Sequence, residues 1–154
     1  MQAYEYLNQA KRLDALIENK REEERELRAL ATSITANGEG MPRATGVSDK
    51  VGNTVLKIIE VQEQTNAAID KYVDTKQDIV KHLEMLPPKQ YQVLYWLYIK
   101  KREHRIAGQK WYYTWSEVAE NLGCSEENIR KTRRRAIKNL QKILDSEKRL
   151  LEVE

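Results

Sequence analysis

The chain has 154 residues, of which 33% are charged and 40% hydrophobic, and its formal net charge is +3. The mean hydropathy is −0.77 and no apolar run is long enough to cross a bilayer, so the composition excludes a membrane protein. The first residues also lack the basic start and apolar stretch of a signal peptide, and we therefore expect a cytoplasmic protein of one or two small domains.

The charge is distributed unevenly along the chain. Residues 1–85 hold 12 basic and 15 acidic side chains, whereas residues 86–154 hold 15 basic and 9 acidic ones. This asymmetry predicts that the second part binds a polyanion. We place a domain boundary between a helical hairpin at 1–85 and a DNA-binding domain at 86–154.

Two long helices are predicted for the first part, because apolar side chains recur there at alternating spacings of four and three. The seam of the first helix, residues 3–35, comprises Tyr6, Ala10, Leu13, Ile17, Lys20, Glu24, Leu27, Ala31 and Ile34. The seam of the second comprises Val51, Val55, Ile58, Gln62, Thr65, Ile69, Tyr72, Lys76, Ile79, Leu83 and Leu86. Gly and Pro residues predict a loop over 36–48 between them.

The polar members of the two seams fall in one layer if the helices pair antiparallel. Lys20 and Glu24 then lie opposite Thr65 and Gln62. Buried polar groups at seam positions fix register, and we interpret this layer in that way. Two alternatives stay open: these residues only flank a looser contact, or the seams pair between two chains and form a homodimer.

Aromatic residues are concentrated in the middle of the chain, where residues 91–115 hold eight of the eleven. Residues 88–101 are predicted to form a helix that is apolar on most sides, so most of these rings are expected in a core. Base stacking by Trp111 or Tyr112 is the alternative. Gly108 permits a turn with a short hairpin over 106–113. The cations around this connection are candidates for phosphate contacts: Lys100, Lys101, Arg102, Arg105 and Lys110.

A helix, a tight turn and a second helix are predicted next. Thr114 or Ser116 caps a helix over 116–122, and Gly123 ends it because glycine adopts the left-handed conformation at little cost. Ser125 then caps the second helix.

The second helix is predicted to be cationic on its outer surface. Its inward residues are Ile129, Thr132, Ala136, Ile137, Leu140, Ile143 and Leu144. Residues 131–135 contain four cations and no acid, a pattern that self-repels without a polyanionic partner. The alternative is a solvated face held by Glu126–Arg130 and Glu127–Lys131 pairs. The candidate DNA-binding residues are Thr114, Ser116, Ser125, Glu126, Glu127, Asn128, Arg130, Lys131, Arg133, Arg134, Arg135 and Lys138.

No catalytic or metal-binding pattern is visible. Cys124 is the single cysteine and is expected to pack in the turn, while His82 and His104 are isolated and expected at the surface. We therefore expect neither an enzyme nor a cofactor or metal site.

Several motifs resemble region 4 of bacterial sigma factors. The matching residues are Leu86, Pro87 and a following amphipathic helix that ends in Val93-Leu94, then Glu117-Val118-Ala119-Glu120, Leu122-Gly123-Cys124-Ser125, Ile129-Arg130, Arg135-Ala136-Ile137 and Leu140. The resemblance implies that helix 126–138 reads promoter DNA. It covers less than half the chain, residues 100–113 exceed the family's usual link, and nothing resembles the region that binds the −10 element.

The layout of the whole chain resembles small phage-encoded late transcription regulators of the RinA and ArpU type, through residues 47–55 in particular. This resemblance implies an activator of late or packaging genes in a bacterial host cell. The partners that we expect for such a regulator are double-stranded DNA, host RNA polymerase and a second copy of the chain. A small terminase-like DNA-packaging subunit and a helical interaction module that does not bind DNA are the alternatives.

Overall fold

A computed structural model describes residues 1–38 and 45–153, with side chains for 1–34 and 50–153. The part of the chain that it describes is all-α, as predicted. The helices are α1 (Ala3–Gly38), α2 (Thr45–Leu83), α3 (Pro88–Leu94), α4 (Trp115–Leu122) and α5 (Glu126–Val153). No helix among the described residues is long and apolar enough to span a membrane.

The helices form two compact units. One comprises Met1–Lys11 together with Val73–Glu154, and the other comprises Arg12–Tyr72. The first few turns of α1 are thus part of the same unit as α3, α4 and α5. The boundary between 85 and 86 that the sequence suggests stays a prediction.

The Arg12–Tyr72 unit is an antiparallel pair of helices within one chain. Gln62 donates to the Glu24 carboxylate at 2.8 Å, and Lys20 donates to the Gln64 side chain at 2.8 Å. The Glu24–Gln62 pair was predicted, whereas Lys20 contacts Gln64 instead of the predicted Thr65, whose hydroxyl donates to the Val61 carbonyl at 2.8 Å. Among the described side chains of this unit, the buried apolar ones are Ile17, Ile58, Val61 and Ala68.

The start of the α2 seam differs from the prediction. Val55 is 45% exposed, and the neighbouring Thr54 is buried instead. The Thr54 hydroxyl donates to the Lys50 carbonyl at 2.8 Å, so its burial leaves no unsatisfied hydroxyl. The buried stripe continues through Ile58, which the predicted seam contains, and Val61, which it does not.

The loop predicted over 36–48 is wrong at both ends of that range. Because α1 reaches Gly38 and α2 begins at Thr45, both ends of that range are helical. Gly40 and Pro42, on which the loop prediction rested, lie outside the described residues.

α3 begins where two prolines permit it and ends earlier than predicted. Pro87 precedes the helix and Pro88 occupies its first turn, where a missing N–H costs nothing. The helix does not continue to residue 101. It passes into a π-helical turn over Tyr95–Ile99, in which the Lys100 N–H donates to the Tyr95 carbonyl at 2.9 Å, and Lys100 is extended.

The core of the larger unit is built from several helices. The helix-turn-helix contributes Val118, Ala119, Ile129, Ala136 and Leu140, α3 and the π turn contribute Val93, Leu94, Leu97, Tyr98 and Ile99, and the ends of α1 and α2 contribute Ala3, Leu7, Ala10, Ile79 and Leu83. The Ala3 N–H also donates to the Gln141 side chain at 2.7 Å, which fixes the start of α1 against α5.

His82 is buried at 8% exposure, so its predicted surface position is wrong. Its Nε2 lies 2.6 Å from the Glu147 carboxylate, and its Nδ1 lies 2.7 Å from the Tyr6 hydroxyl. Tyr6 in turn donates to Asp78 at 2.6 Å. The ring is satisfied by partners from three helices, so it can be buried at the junction of α1, α2 and α5. His104 is exposed, as predicted.

Candidate nucleic-acid interface

α4 begins with a complete capping box. Thr114 is extended, with φ −76° and ψ 161°, and its hydroxyl accepts from the Glu117 N–H at 3.3 Å. The Glu117 carboxylate accepts from the Thr114 N–H at 3.2 Å in return. Of the two predicted caps, Thr114 is therefore the one that satisfies the first backbone donors of α4.

The turn between α4 and α5 depends on Gly123. Its φ of 68° and ψ of 35° lie in the left-handed region, and the Cys124 N–H donates to the Ala119 carbonyl at 3.0 Å. Cys124 is half-buried in this turn. Ser125 then accepts from the Asn128 N–H at 3.2 Å and starts α5 as predicted.

α5 has one buried face and one cationic face. Ile129, Thr132, Ala136 and Leu140 are buried, while Ile137, Ile143 and Leu144 are half-buried. On the other side Arg130, Lys131, Arg134, Arg135 and Lys138 are all exposed. We call these five residues the cationic face.

The remaining candidate residues surround this face. Thr114 and Ser116 at the start of α4, and Ser125, Glu126 and Glu127 at the start of α5, are exposed. Asn128 is half-exposed. The structure therefore gathers these side chains around the two helix starts and the outer side of α5.

If the cationic face were only solvated, ion pairs with Glu126 and Glu127 would be expected to hold it. Lys131 pairs with Glu127 at 3.5 Å, and these side chains are 61% and 79% exposed, so the pair adds little stability. Within the described part of the chain, no carboxylate pairs with Arg134 or Lys138. Most of the positive charge on the cationic face is thus not neutralised by the protein.

Arg133 points away from the cationic face and into a set of aromatic rings. Its Nε donates to the Tyr98 hydroxyl at 2.8 Å, and its guanidinium lies 5.2 Å from the Trp115 ring centroid and 5.8 Å from that of Tyr4. The placement holds α5 against α4, the π turn and the start of α1.

Lys11 belongs to the same cluster, although no sequence pattern pointed to it. Its ammonium lies 5.1 Å from the Tyr98 ring centroid and 4.8 Å from that of Tyr112. Burial lowers the pKa of Lys11, and the charge of Arg133 lowers it further. Only a contact between residues far apart in sequence could have revealed this position.

Several rings of the aromatic middle are half-buried rather than enclosed in a core. Tyr98 is 5% exposed, but Trp96, Trp111 and Trp115 keep part of their surface. The pairing of these rings with cations explains the difference. Lys100 lies 3.8 Å from the Trp96 ring centroid, and Arg130 lies 5.9 Å from that of Trp115.

Comparison with known protein families identifies the segment that contains this helix-turn-helix. A family model described as sigma-70, region 4 matches residues 82–142. The chain carries a sigma region 4-like, DNA-binding helix-turn-helix. The match covers less than half of the chain and contains α3, α4 and residues 126–142 of α5. Searches of curated proteins and of solved structures returned no match.

The described residues include no group of three or more His, Cys, Asp or Glu side chains that could hold a metal ion.

Proposed function

We propose that this protein is a sequence-specific transcription regulator that places the first half of α5 in the DNA major groove. The observation that carries the proposal is the cationic face, which lies on the second helix of a region 4-like helix-turn-helix. That helix enters the major groove in proteins of this architecture. Lysine and arginine on it neutralise phosphates and release counterions.

The proposed contacts fall into two kinds. Asn128 and Arg130 lie near the start of α5 and read bases, since arginine pairs bidentately with guanine and asparagine with adenine. Thr114, Ser116, Arg135 and Lys138 contact phosphates and set the register on the duplex. Arg133 supports the reading helix from behind through Tyr98 and Trp115.

The biological setting is proposed from the resemblance to phage late regulators. In this proposal the protein activates late or packaging genes of a phage or prophage in a bacterial cell. The helical hairpin at 1–85 contacts host RNA polymerase or a second copy of the chain. Exposed apolar side chains on the hairpin support a partner there: Leu30 is 51% exposed, Leu56 65% and Ile59 46%.

Two single substitutions test the base-reading assignment. Arg130→Ala should weaken binding to a duplex selected by the protein by about 1–3 kcal/mol and relax its sequence preference. Lys138→Ala should weaken binding to selected and random duplexes alike and flatten the salt dependence. Equilibrium titrations of both variants on both duplexes separate the two roles.

The assignment is wrong if both variants lose the same affinity on selected and random DNA. The regulatory direction is tested separately by transcription in vitro with bacterial RNA polymerase. An activator raises the yield from a promoter that contains the selected sequence, and a yield that falls or stays constant contradicts activation.

A further inference from the structure

The segment between the π turn and α4 is a second basic element, which we call the basic arm. It spans residues 100–113 and is longer than the link usual in region 4. Its charged residues are Lys100, Lys101, Arg102, Glu103, Arg105 and Lys110. Five are cations and one is an acid, so the arm is as strongly basic as the first half of α5.

The arm is folded back on itself. The Arg102 N–H donates to the Trp111 carbonyl at 2.9 Å, and Lys101 forms an antiparallel bridge with Tyr112. At the far end, the Gln109 N–H donates to the Ile106 carbonyl at 3.0 Å, and Gly108 takes a φ of 84°. These bonds close a hairpin-like loop with a defined tip at residues 103–109.

Arg102 fixes the base of the arm to the first helix of the helix-turn-helix. Its Nε donates to the Lys110 carbonyl at 2.9 Å, and a terminal guanidinium nitrogen pairs with the Glu117 carboxylate at 2.5 Å. The hydrogen bond from Arg102 lowers the pKa of Glu117 to about 2, with further help from Thr114. Since Glu117 also forms the capping box, the arm and the start of α4 are held by one set of bonds.

Two further cations of the arm lie beside the Trp111 ring. Lys101 lies 5.2 Å and Arg105 5.0 Å from the Trp111 ring centroid. Arg105 and Lys110 are exposed, and no carboxylate of the described residues pairs with either. Ile106, between them at the tip, is 74% exposed.

The arm ends beside the reading helix. Thr114 follows its last residue and caps α4, and the next residue, Trp115, lies 5.9 Å from Arg130 on the cationic face. Thr114 and the ring of Trp115 therefore connect the basic arm to the cationic face.

We propose that the basic arm is a second duplex-DNA contact, which binds phosphates at one edge of the site that α5 reads. This inference rests on the proposed function and extends it. Arg105 and Lys110 neutralise backbone phosphates, and Ile106 at the tip lies along the adjacent groove. Arginine and exposed apolar side chains at such a tip are the chemistry used by proteins that reach into a minor groove.

The test uses the full chain with Arg105→Ala and Lys110→Ala combined. A matched control combines Lys57→Ala and Lys71→Ala, which removes the same charge from exposed positions on α2. Binding to a duplex of mixed sequence is measured across a series of salt concentrations. Loss of two phosphate contacts should lower the slope of log affinity against log salt by about 1.8, whereas the control should keep the slope of the unmodified protein.

A second measurement locates the contact. Hydroxyl-radical footprinting on a duplex selected by the protein should show that the arm variant loses protection at one edge of the footprint and keeps it in the centre. Unchanged circular dichroism verifies that the variant is folded.

The outcomes separate the arm from the proposed function. If the arm variant keeps the full slope and footprint while Arg134→Ala lowers the slope, the arm does not bind DNA and the proposed function stands. If the arm variant binds DNA normally but fails to bind RNA polymerase, the arm is a protein contact and the inference is overturned. If the unmodified protein shows no salt-dependent binding, the proposed function itself fails.

Discussion

Arg133 and Arg134 are adjacent in sequence and have opposite environments. Arg133 donates to the Tyr98 hydroxyl and lies among three aromatic rings, whereas Arg134 is exposed without a carboxylate partner in the described part of the chain. The difference follows from the rotation of about 100° between successive helical residues. One arginine therefore stabilises the domain, and its neighbour is available to a ligand.

This contrast makes a prediction with an internal control. Arg133→Ala should reduce the free energy of unfolding by about 1–2 kcal/mol, because it removes a hydrogen bond and cation–π contacts. Arg134→Ala should change it by less than about 0.5 kcal/mol and weaken DNA binding instead. Urea unfolding and DNA titration of the two variants check both statements. Equal losses of stability would contradict the assigned roles.

His82 gives the domain a pH dependence of known sign. Burial lowers the pKa of His82, but hydrogen bonds and charges from Glu147 and Asp78 outweigh it, so the pKa is raised. In the charged ring, Nε2 donates to the Glu147 carboxylate on α5, and Nδ1 donates to the Asp78 carbonyl on α2. The Tyr6 hydroxyl from α1 also lies 2.7 Å from Nδ1.

A raised histidine pKa stabilises the fold at low pH. The contribution is complete below the pKa of the unfolded chain, about 6.5, and is lost as the pH rises through the higher folded value. We expect His82→Gln to remove this loss of stability, which in the unmodified protein sets in as the pH rises above about 6.5. Urea unfolding at a series of pH values measures it, with His104→Gln as the exposed control. The interpretation is wrong if His82→Gln keeps the pH dependence of the unmodified protein.

At the scale of elements, the turn between α4 and α5 depends on one backbone conformation. A Cβ on Gly123 would meet no atom within 4 Å, so the only destabilising effect of an alanine there is the strain of the positive φ of 68°. We expect Gly123→Ala to lower stability by about 1 kcal/mol.

Gly52 provides the opposite case. It lies inside α2, and a Cβ there would also meet no atom within 4 Å. Gly52→Ala should therefore raise stability by about 0.5–1 kcal/mol. Thermal unfolding of the two variants should shift in opposite directions, and shifts of the same sign would contradict the account of the turn.

The polar layer of the hairpin is a third element with a testable role. Replacing Glu24 and Gln62 together by leucine removes the hydrogen bond of 2.8 Å between them and leaves apolar residues at both seam positions. Helicity should stay high, while the register or the oligomeric state should change, because polar seam residues specify pairing rather than stability. Circular dichroism and sedimentation measure these properties. An unchanged oligomeric state and unchanged helix pairing would show that the layer does not fix register.

The sequence predicted those elements whose signals are local. Thr114, Gly123 and Ser125 fix the helix ends by bonds within a few residues, so capping rules located them. The heptad spacing likewise placed Glu24 opposite Gln62. The π turn at Tyr95–Ile99 was missed because no residue pattern distinguishes it from a continuing helix.

Contacts between distant residues that no repeating pattern relates could not be predicted. The burial of His82 depends on Glu147, 65 residues away, and on Tyr6, 76 residues away. The inward placement of Arg133 depends on Tyr98, 35 residues away. The candidate interface was therefore predictable as a helix and a charge pattern, but the division between supporting and exposed cations required the tertiary structure.

At the scale of the whole molecule, the larger unit supports α5 from several directions. The Ala3 N–H bonds Gln141, and Glu147 bonds His82, so the start of α1 and the end of α2 both hold the helix that carries the cationic face. The basic arm is held to α4 by Arg102 and Glu117. On the described part of this unit, the outer side of α5 and the basic arm are two basic surfaces, and Arg134, Lys138, Arg105 and Lys110 on them have no carboxylate partner.

Selection of duplexes from a random pool by the purified protein, followed by guanine N7 methylation protection, tests the central claim most directly. We predict that one sequence is enriched and that its guanines are protected in the major groove, with the protection lost in Arg130→Ala. Recovery of no preferred sequence, or binding that leaves every guanine N7 accessible, would contradict the placement of α5 in the major groove.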